Sequence, residues 1–343
     1  MGQKPDIIKK LEKHLNGEME QTSLECLWKR CIFGNEVGLF CLDETGAVVG
    51  LLLNYVGLPP EVLAKLPKLR CLVIRHTDWQ DLSPLASLTA LTQLDLEGNQ
   101  IQDISPLASL TALTWLGLSS NQIQDLSPLA SLTALTRLEL GINQIQDISP
   151  LASLTALTWL GLSNNQIQDI SPLASLTALT WLDLGSNQIQ DISPLASLTA
   201  LLQLYLNSNQ IQDLSPLASL TTLTQLDLRN NKIQDPSPLE GLARAGHSWN
   251  WMDGFVATSI NIAHNPVQSP PLEIERQGHG AITAWFVALR ETKRELNEVK
   301  LLLVGAGGAG KTSLLKALQQ QEHDPHESQT HGIRIEHWLC DCD

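Results

Sequence analysis

Aromatic residues make up only 4 % of this 343-residue chain, and there are three methionines, while hydrophobic residues reach 43 %. Its core must therefore be aliphatic. Basic residues are also scarce: 22 Lys and Arg stand against 36 Asp and Glu, a formal charge of −14. Nucleic acid is disfavoured as a partner, because phosphate binding needs a basic face. The cysteines (Cys26, Cys31, Cys41, Cys71, Cys340, Cys342) contain no C-x-x-C pair. Cys340-x-Cys342 offers too few ligands for a structural metal, so free thiols in a reducing compartment are expected. No apolar run approaches the roughly 20 residues that span a bilayer. The N-terminal MGQKPDIIKKLEKHL lacks a signal-peptide core, and Asp6 stands where myristoylation of Gly2 wants Ser or Thr. Together these absences lead us to expect a soluble cytoplasmic protein with neither nucleic-acid nor membrane partners.

What the chain does have is a 22-residue unit, first clean at Leu82–Asp103 and restarting at 104, 126, 148, 170, 192 and 214. The frame L-x-x-L-x-L-x-x-N-x-I at a period in the twenties is that of the leucine-rich repeat, one strand and a short helical return per turn. One unit cannot bury its own apolar face, so stacking supplies the core. Leu91, Leu94, Leu96 and Ile101 should point inward. Asn99 and its equivalents should satisfy backbone groups where the chain turns in the interior. Ser83-Pro84 suits a helix start, with serine as N-cap and proline at the first helical position. Asp103 and its copies should act as turn residues beside that start.

The frame extends backwards through 60–81 and loosely to Gly38, which makes about ten L-x-L strands ending at Ile260-Asn261-Ile262. The expected fold is α/β, a curved parallel-sheet solenoid. Residues 1–37 should form a helical cap, from the spacing of Ile7, Ile8, Leu11 and Leu15. The solenoid should occupy 38–268, with an insertion at 243–259 emerging as a loop. A linker helix over 269–296 and a P-loop segment over 297–343 complete the expectation.

The copies agree nearly everywhere except at positions equivalent to Gln93, Asp95, Glu97 and Gly98. One variable column reads Cys71, Gln93, Trp115, Arg137, Trp159, Trp181, Gln203, Gln225. The next reads Val73, Asp95, Gly117, Glu139, Gly161, Asp183, Tyr205, Asp227. Strand side chains alternate faces, so both columns should lie on the concave sheet, away from the leucines. Exposed tryptophans with arginine have the composition of an interface. We expect a protein or peptide to bind at Trp115, Arg137, Glu139, Trp159, Trp181, Asp183, Gln203 and Tyr205. A sugar stacked on the tryptophans is the lesser alternative, and drift of copies on an indifferent surface is the bland one.

Near the C-terminus, the apolar run Val299–Val304 leads into Gly305-Ala306-Gly307-Gly308-Ala309-Gly310-Lys311-Thr312 and a helical pattern opening at Ser313. This is G-x-x-x-x-G-K-T in strand–loop–helix context, the phosphate-binding P-loop. Its small residues let backbone N–H groups surround phosphate oxygens. Lys311 would reach the β- and γ-phosphates, and the Thr312 hydroxyl would bind Mg²⁺.

The repeats, Asn265-Pro266, Ser269-Pro270-Pro271-Leu272-Glu273-Ile274 and the stretch Leu296–Gly305 together resemble bacterial Roco proteins. The repeats alone are also similar to those of internalins. The Roco resemblance implies a Ras-like Roc GTPase domain after the repeats, GTP or GDP with Mg²⁺ as ligands, and dimerisation through a COR domain. By the same resemblance Thr330-His331-Gly332-Ile333-Arg334-Ile335 corresponds to switch I, with Thr330 as second Mg²⁺ ligand. Departures from the family matter too. Neither a D-x-x-G element nor an N/T-K-x-D-type element follows before Asp343, and COR is missing. A lone strand, loop and helix do not make a stable nucleotide pocket, so GTP hydrolysis is not expected of this chain. Two readings stand: a repeat scaffold joined to the first part of a Roc domain, or a stand-alone binding module whose P-loop is a vestige without nucleotide.

Overall fold

The computed structural model describes residues 4–15, 19–24, 38–54, 60–63, 65–245, 247–250, 259–267, 280–281 and 284–285. All of these lie within one compact unit, Met1–Trp285. Each 22-residue turn contributes a three-residue strand and, on the opposite side, a 3₁₀ turn formed by Ser-Pro-Leu-Ala-Ser, as at Ser149–Ser153. Proline pre-sets the backbone there and gives up an N–H that the first turn cannot use. Serine was expected to cap this turn. Instead the preceding aspartate does so: Asp147 Oδ1 accepts the Ser149 N–H at 2.8 Å and Oδ2 accepts its hydroxyl at 3.0 Å. An Asx turn of this kind needs the carboxylate two residues ahead of the donor, which is the Asp-Ile-Ser spacing. Consecutive convex turns are also tied together, with the Ser153 hydroxyl donating to the Ala130 carbonyl at 2.9 Å.

The strands are β1 (Glu20–Gln21), β2 (Leu39–Leu42), β3 (Val48–Asn54), β4 (Cys71–Arg75), β5 (Gln93–Asp95), β6 (Trp115–Gly117), β7 (Arg137–Glu139), β8 (Trp159–Gly161), β9 (Trp181–Asp183), β10 (Gln203–Tyr205), β11 (Gln225–Asp227), β12 (Ser248–Asn250) and β13 (Ser259–Asn261). They make one sheet in sequence order until the end, where β13 pairs with β11 and β12 lies outside it. Every pairing is parallel except the β2–β3 hairpin. The insertion is therefore not simply a loop. Its Ser248–Asn250 segment doubles back as an extra edge strand, and Trp249 on it is buried. At the other end, the helix Asp6–Leu15 buries Ile8 and Leu11, as a cap requires, and β1 adds a strand that the sequence did not announce. Of the expected helix over 269–296, residues 280–281 and 284–285 are described and are helical.

The core is the stack of leucine columns: Leu91, Leu94, Leu96 and Ile101 are fully buried, as are their equivalents through most later turns. Burial of each such side chain stabilises by about 1.5–3 kcal/mol. The asparagines stitch the turns together. Asn165 Oδ1 accepts the Ile145 N–H of the previous turn at 3.0 Å. Its amide donates to the carbonyls of Leu140 and Leu162 at 3.0 Å and to that of Ser163 at 3.3 Å. The residue before each asparagine takes a positive φ: Ser120, Asn164, Ser186, Ser208, Asn230 and, unusually, Ile142 at 56°.

Candidate functional site

Register decides which variable residues meet. Trp115, Arg137, Trp159 and Trp181 are successive partners across β6 to β9, and Gly117, Glu139, Gly161 and Asp183 are the row beside them. Adjacent parallel strands are about 4.8 Å apart, so neighbouring side chains in a row touch. The Trp159 and Trp181 rings stack with centroids 3.9 Å apart and planes 9° from parallel. The Arg137 guanidinium carbon lies 4.0 Å from the Trp159 ring centroid on this stack. Tyr205 joins at the other end, 5.6 Å from Trp181 and tilted by 50°. Such cation–π and ring contacts contribute on the order of 0.5–1.5 kcal/mol each.

The tryptophans are not equally exposed. Trp115 is 9 % exposed, because its ring lies over the next glycine of its own strand. A Cβ on Gly117 would come 2.5 Å from that ring. Gly161 plays the same part for Glu139, whose carboxylate occupies the space a side chain there would need. These two glycines make room for side chains of the face, a role that reading the columns separately missed. The signal was the Trp-Leu-Gly triplet, present at 115–117 and again at 159–161.

Charge on the face follows a regular alternation. Asp95, Glu139, Asp183 and Asp227 occupy every second strand of one row. Asp95 is clamped by Arg75, whose Nε donates to Oδ2 at 2.6 Å. Asp227 is held by Arg229, whose Nε and Nη2 donate at 3.0 Å and 2.7 Å. Glu139 receives Arg137 Nη2 at 3.2 Å and also the indole N–H of Trp159. Burial nevertheless pushes the Glu139 carboxyl above the usual range, against the lowering by Arg137 and Trp159. Asp183 is likewise raised by burial; its hydrogen bonds, from the Gly185 N–H at 2.9 Å and from Ser163, only partly oppose this. Tyr205 donates to Gln225 Oε1 at 2.8 Å, and Gln203 adjoins it on the same strand.

Between Arg75 and Arg137 the face holds an open depression of about 270 Å³, lined chiefly by Asp95, Glu97, Trp115 and Glu139. Arg137 Nε is buried there without a hydrogen-bond partner among the described residues. Among the described residues no group of three or more His, Cys, Asp or Glu could hold a metal ion. Cys41 and Cys71 are free and buried, and burial pushes the Cys71 thiol up to about 12, so it carries no nucleophile at neutral pH. Among the described residues no helix is long and apolar enough to cross a membrane. The expected nucleotide and Mg²⁺ residues (Gly305, Gly307, Gly308, Ala309, Gly310, Lys311, Thr312, Ser313 and Thr330) lie outside the described residues.

Comparison with known proteins bears on both parts of the chain. The family model for Leucine Rich repeats (2 copies) matches residues 67–109, 111–153, 155–197 and 199–241, half of the chain. The family model for the Roc domain (Ras of Complex, Roc, domain of DAPkinase) matches residues 300–342. No curated protein matches the chain. Among solved structures, an internalin (inlF) from Listeria monocytogenes is 34 % identical, over 67 % of this chain and 74 % of that one, with a TM-score of 0.56. An internalin C2 (inlC2) from the same organism is 37 % identical, over 56 % and 76 %, with a TM-score of 0.41. The ectodomain of the plant receptor kinase GASSHO1/SCHENGEN3 from Arabidopsis thaliana is 23 % identical, over 69 % and 28 %, with a TM-score of 0.52, and shows a common fold alone.

Proposed function

The chain belongs to the leucine-rich-repeat family, and from that premise we propose that it is a scaffold whose concave face binds a protein or peptide partner. The observation that carries this reading is the Arg137–Trp159–Trp181–Tyr205 stack. It lies on the side of the strands that the leucine core does not use, where nothing about folding asks for large rings. Tryptophan, tyrosine and arginine are the residue types that dominate binding energy at interfaces. Trp115, Glu139, Asp183 and Gln203 complete the surface.

The test is a display selection of random peptides on the intact chain, followed by affinity measurement on the variant carrying Trp159→Ala and Trp181→Ala. Selected peptides should bind the double variant at least about tenfold more weakly, the loss of one good hot spot. Peptides indifferent to the pair would move the interface elsewhere on the solenoid.

The second part of the reading concerns residues 300–342, which match a Roc domain. That family match supports guanine nucleotide with Mg²⁺ as the ligand of Gly305–Ser313, in a Roco-type protein that couples nucleotide state to partner binding. The donor set fits the group: glycine-rich backbone and Lys311 for phosphate, Thr312 and Thr330 for the metal. Titration with a fluorescent GTP analogue and Mg²⁺ should show binding that Lys311→Ala abolishes. Absence of binding to the intact chain favours the stand-alone module with a vestigial P-loop.

A further inference from the structure

Charge on the concave face is balanced at every carboxylate of the alternating row but one. Asp95 has Arg75, Glu139 has Arg137 and Asp227 has Arg229, each within ion-pair distance. Asp183 has no cation within 4.0 Å among the described residues; its hydrogen bonds come from a backbone N–H and a serine. Nothing in the fold itself calls for a charge here. The equivalent position is glycine in the preceding turn and tyrosine in the following one (Gly161, Tyr205), and glycine again three strands away (Gly117). A half-buried carboxylate without its own cation costs folding energy, and two sheet neighbours show that the position folds without it.

Its surroundings explain what would suit it. Trp181 lies two residues away on the same strand and face, and Tyr205 is its direct partner on β10. The Trp181 and Tyr205 rings are tilted by 50° and joined by a side-chain hydrogen bond, whereas Trp159 and Trp181 are stacked face to face. On the other flank stands Gly161, and the space over it is taken by the Glu139 carboxylate, so a second acid lies on that side. Aromatic rings around an acid make a receptor for a cation on an apolar stem: the rings take the methylenes and the carboxylate takes the charge.

We propose that Asp183, Trp181 and Tyr205 form an anchor subsite that receives one arginine or lysine side chain of the partner. This rests on the concave face being the binding surface, and it specifies the chemistry of the partner. The face as a whole is complementary to such a ligand, since Arg75, Arg137 and Arg229 stand against Asp95, Glu97, Glu139, Asp183 and Asp227. The raised Asp183 carboxyl is a consequence of the same arrangement, and an incoming cation would restore its ionised form.

Peptides from the display selection provide the test. They should be enriched in Arg or Lys at one position. Replacing that residue by citrulline or norleucine should weaken binding to the native chain about tenfold, and should change binding to the Asp183→Asn variant by less than about twofold. Asparagine keeps the shape of the side chain, and unchanged tryptophan fluorescence would verify the stack. Peptides that need Trp159 and Trp181 but show no cation preference, or whose cation is indifferent to Asp183→Asn, overturn the subsite and leave the concave face standing as the interface. Failure to select any peptide, or peptides indifferent to the tryptophans, overturns both.

Discussion

The two faces of each strand obey different rules, although their residues alternate along the same three positions. Leu160 points into the core and is identical in every clean copy, whereas Trp159 and Gly161 on either side of it vary from turn to turn. On the inner face a substitution is felt by both neighbouring turns, because leucine columns and the asparagine ladder are continuous. On the outer face a side chain answers chiefly to its neighbours in a row, as Glu139 fills the space that Gly161 leaves. The contrast extends to charge. Asp103 and Asp147, which cap convex turns, are held below the usual carboxylate range by hydrogen bonds from Ser105 and Ser149. The concave carboxylates Glu139 and Asp183 are pushed above it by burial. Asp103 and Asp147 on the convex side thus serve the fold, and Glu139 and Asp183 on the concave side oppose it.

The strongest way to break this comparison is at the ladder. Asn165→Ala removes an acceptor and three donated hydrogen bonds and leaves the Ile145 N–H buried and unpaired. It should lower unfolding free energy by about 3 kcal/mol in urea denaturation. A loss under 1 kcal/mol would mean that water replaces the amide easily. A smaller effect, of opposite sign, is expected at Ile142. This β-branched residue sits at φ 56° and is 57 % exposed, where other turns place Ser or Asn. Ile142→Asn should raise stability by about 1 kcal/mol, since the left-handed region is strained for isoleucine and tolerated by asparagine.

The smallest effects separate the carboxylates by the sign of their pH dependence. A raised carboxyl contributes stability that is present below the ordinary aspartate pKa and lost as pH rises through its folded value. Asp183→Asn should therefore be more stable than the parent at neutral pH, and the gap should close toward pH ~4. A lowered carboxyl works the other way, with stability present above the ordinary value and lost as pH falls. Asp147→Ala should be less stable than the parent at neutral pH, with a difference that shrinks in acid. Thermal melts of both variants across that range read the two signs directly, and equal signs would refute the division between faces.

Most of the scaffold was legible in the sequence, because a repeated unit states its own register. The 22-residue spacing aligned Trp115, Arg137, Trp159 and Trp181 in the order the sheet shows. What it concealed were the places where periodicity stops. Strand β12 forms within the insertion, and its position beyond β13 depends on which edge of the sheet is free. The asparagine ladder could be named from one copy. The role of aspartate as the cap in place of serine depended on which side chain reaches the Ser N–H, a difference of two residues.

For this chain, then, the sequence alone determined the solenoid, its core columns and the two rows that face away from the core, since strand alternation and a constant repeat leave no other arrangement. Only the tertiary structure decided what those rows do to one another. It closed Trp159 on Trp181, laid Trp115 over Gly117, gave three carboxylates an arginine and, among the described residues, left Asp183 without one. Such contacts depend on the roughly 4.8 Å between neighbouring strands, a distance that links residues 22 apart in the chain and that no local pattern contains.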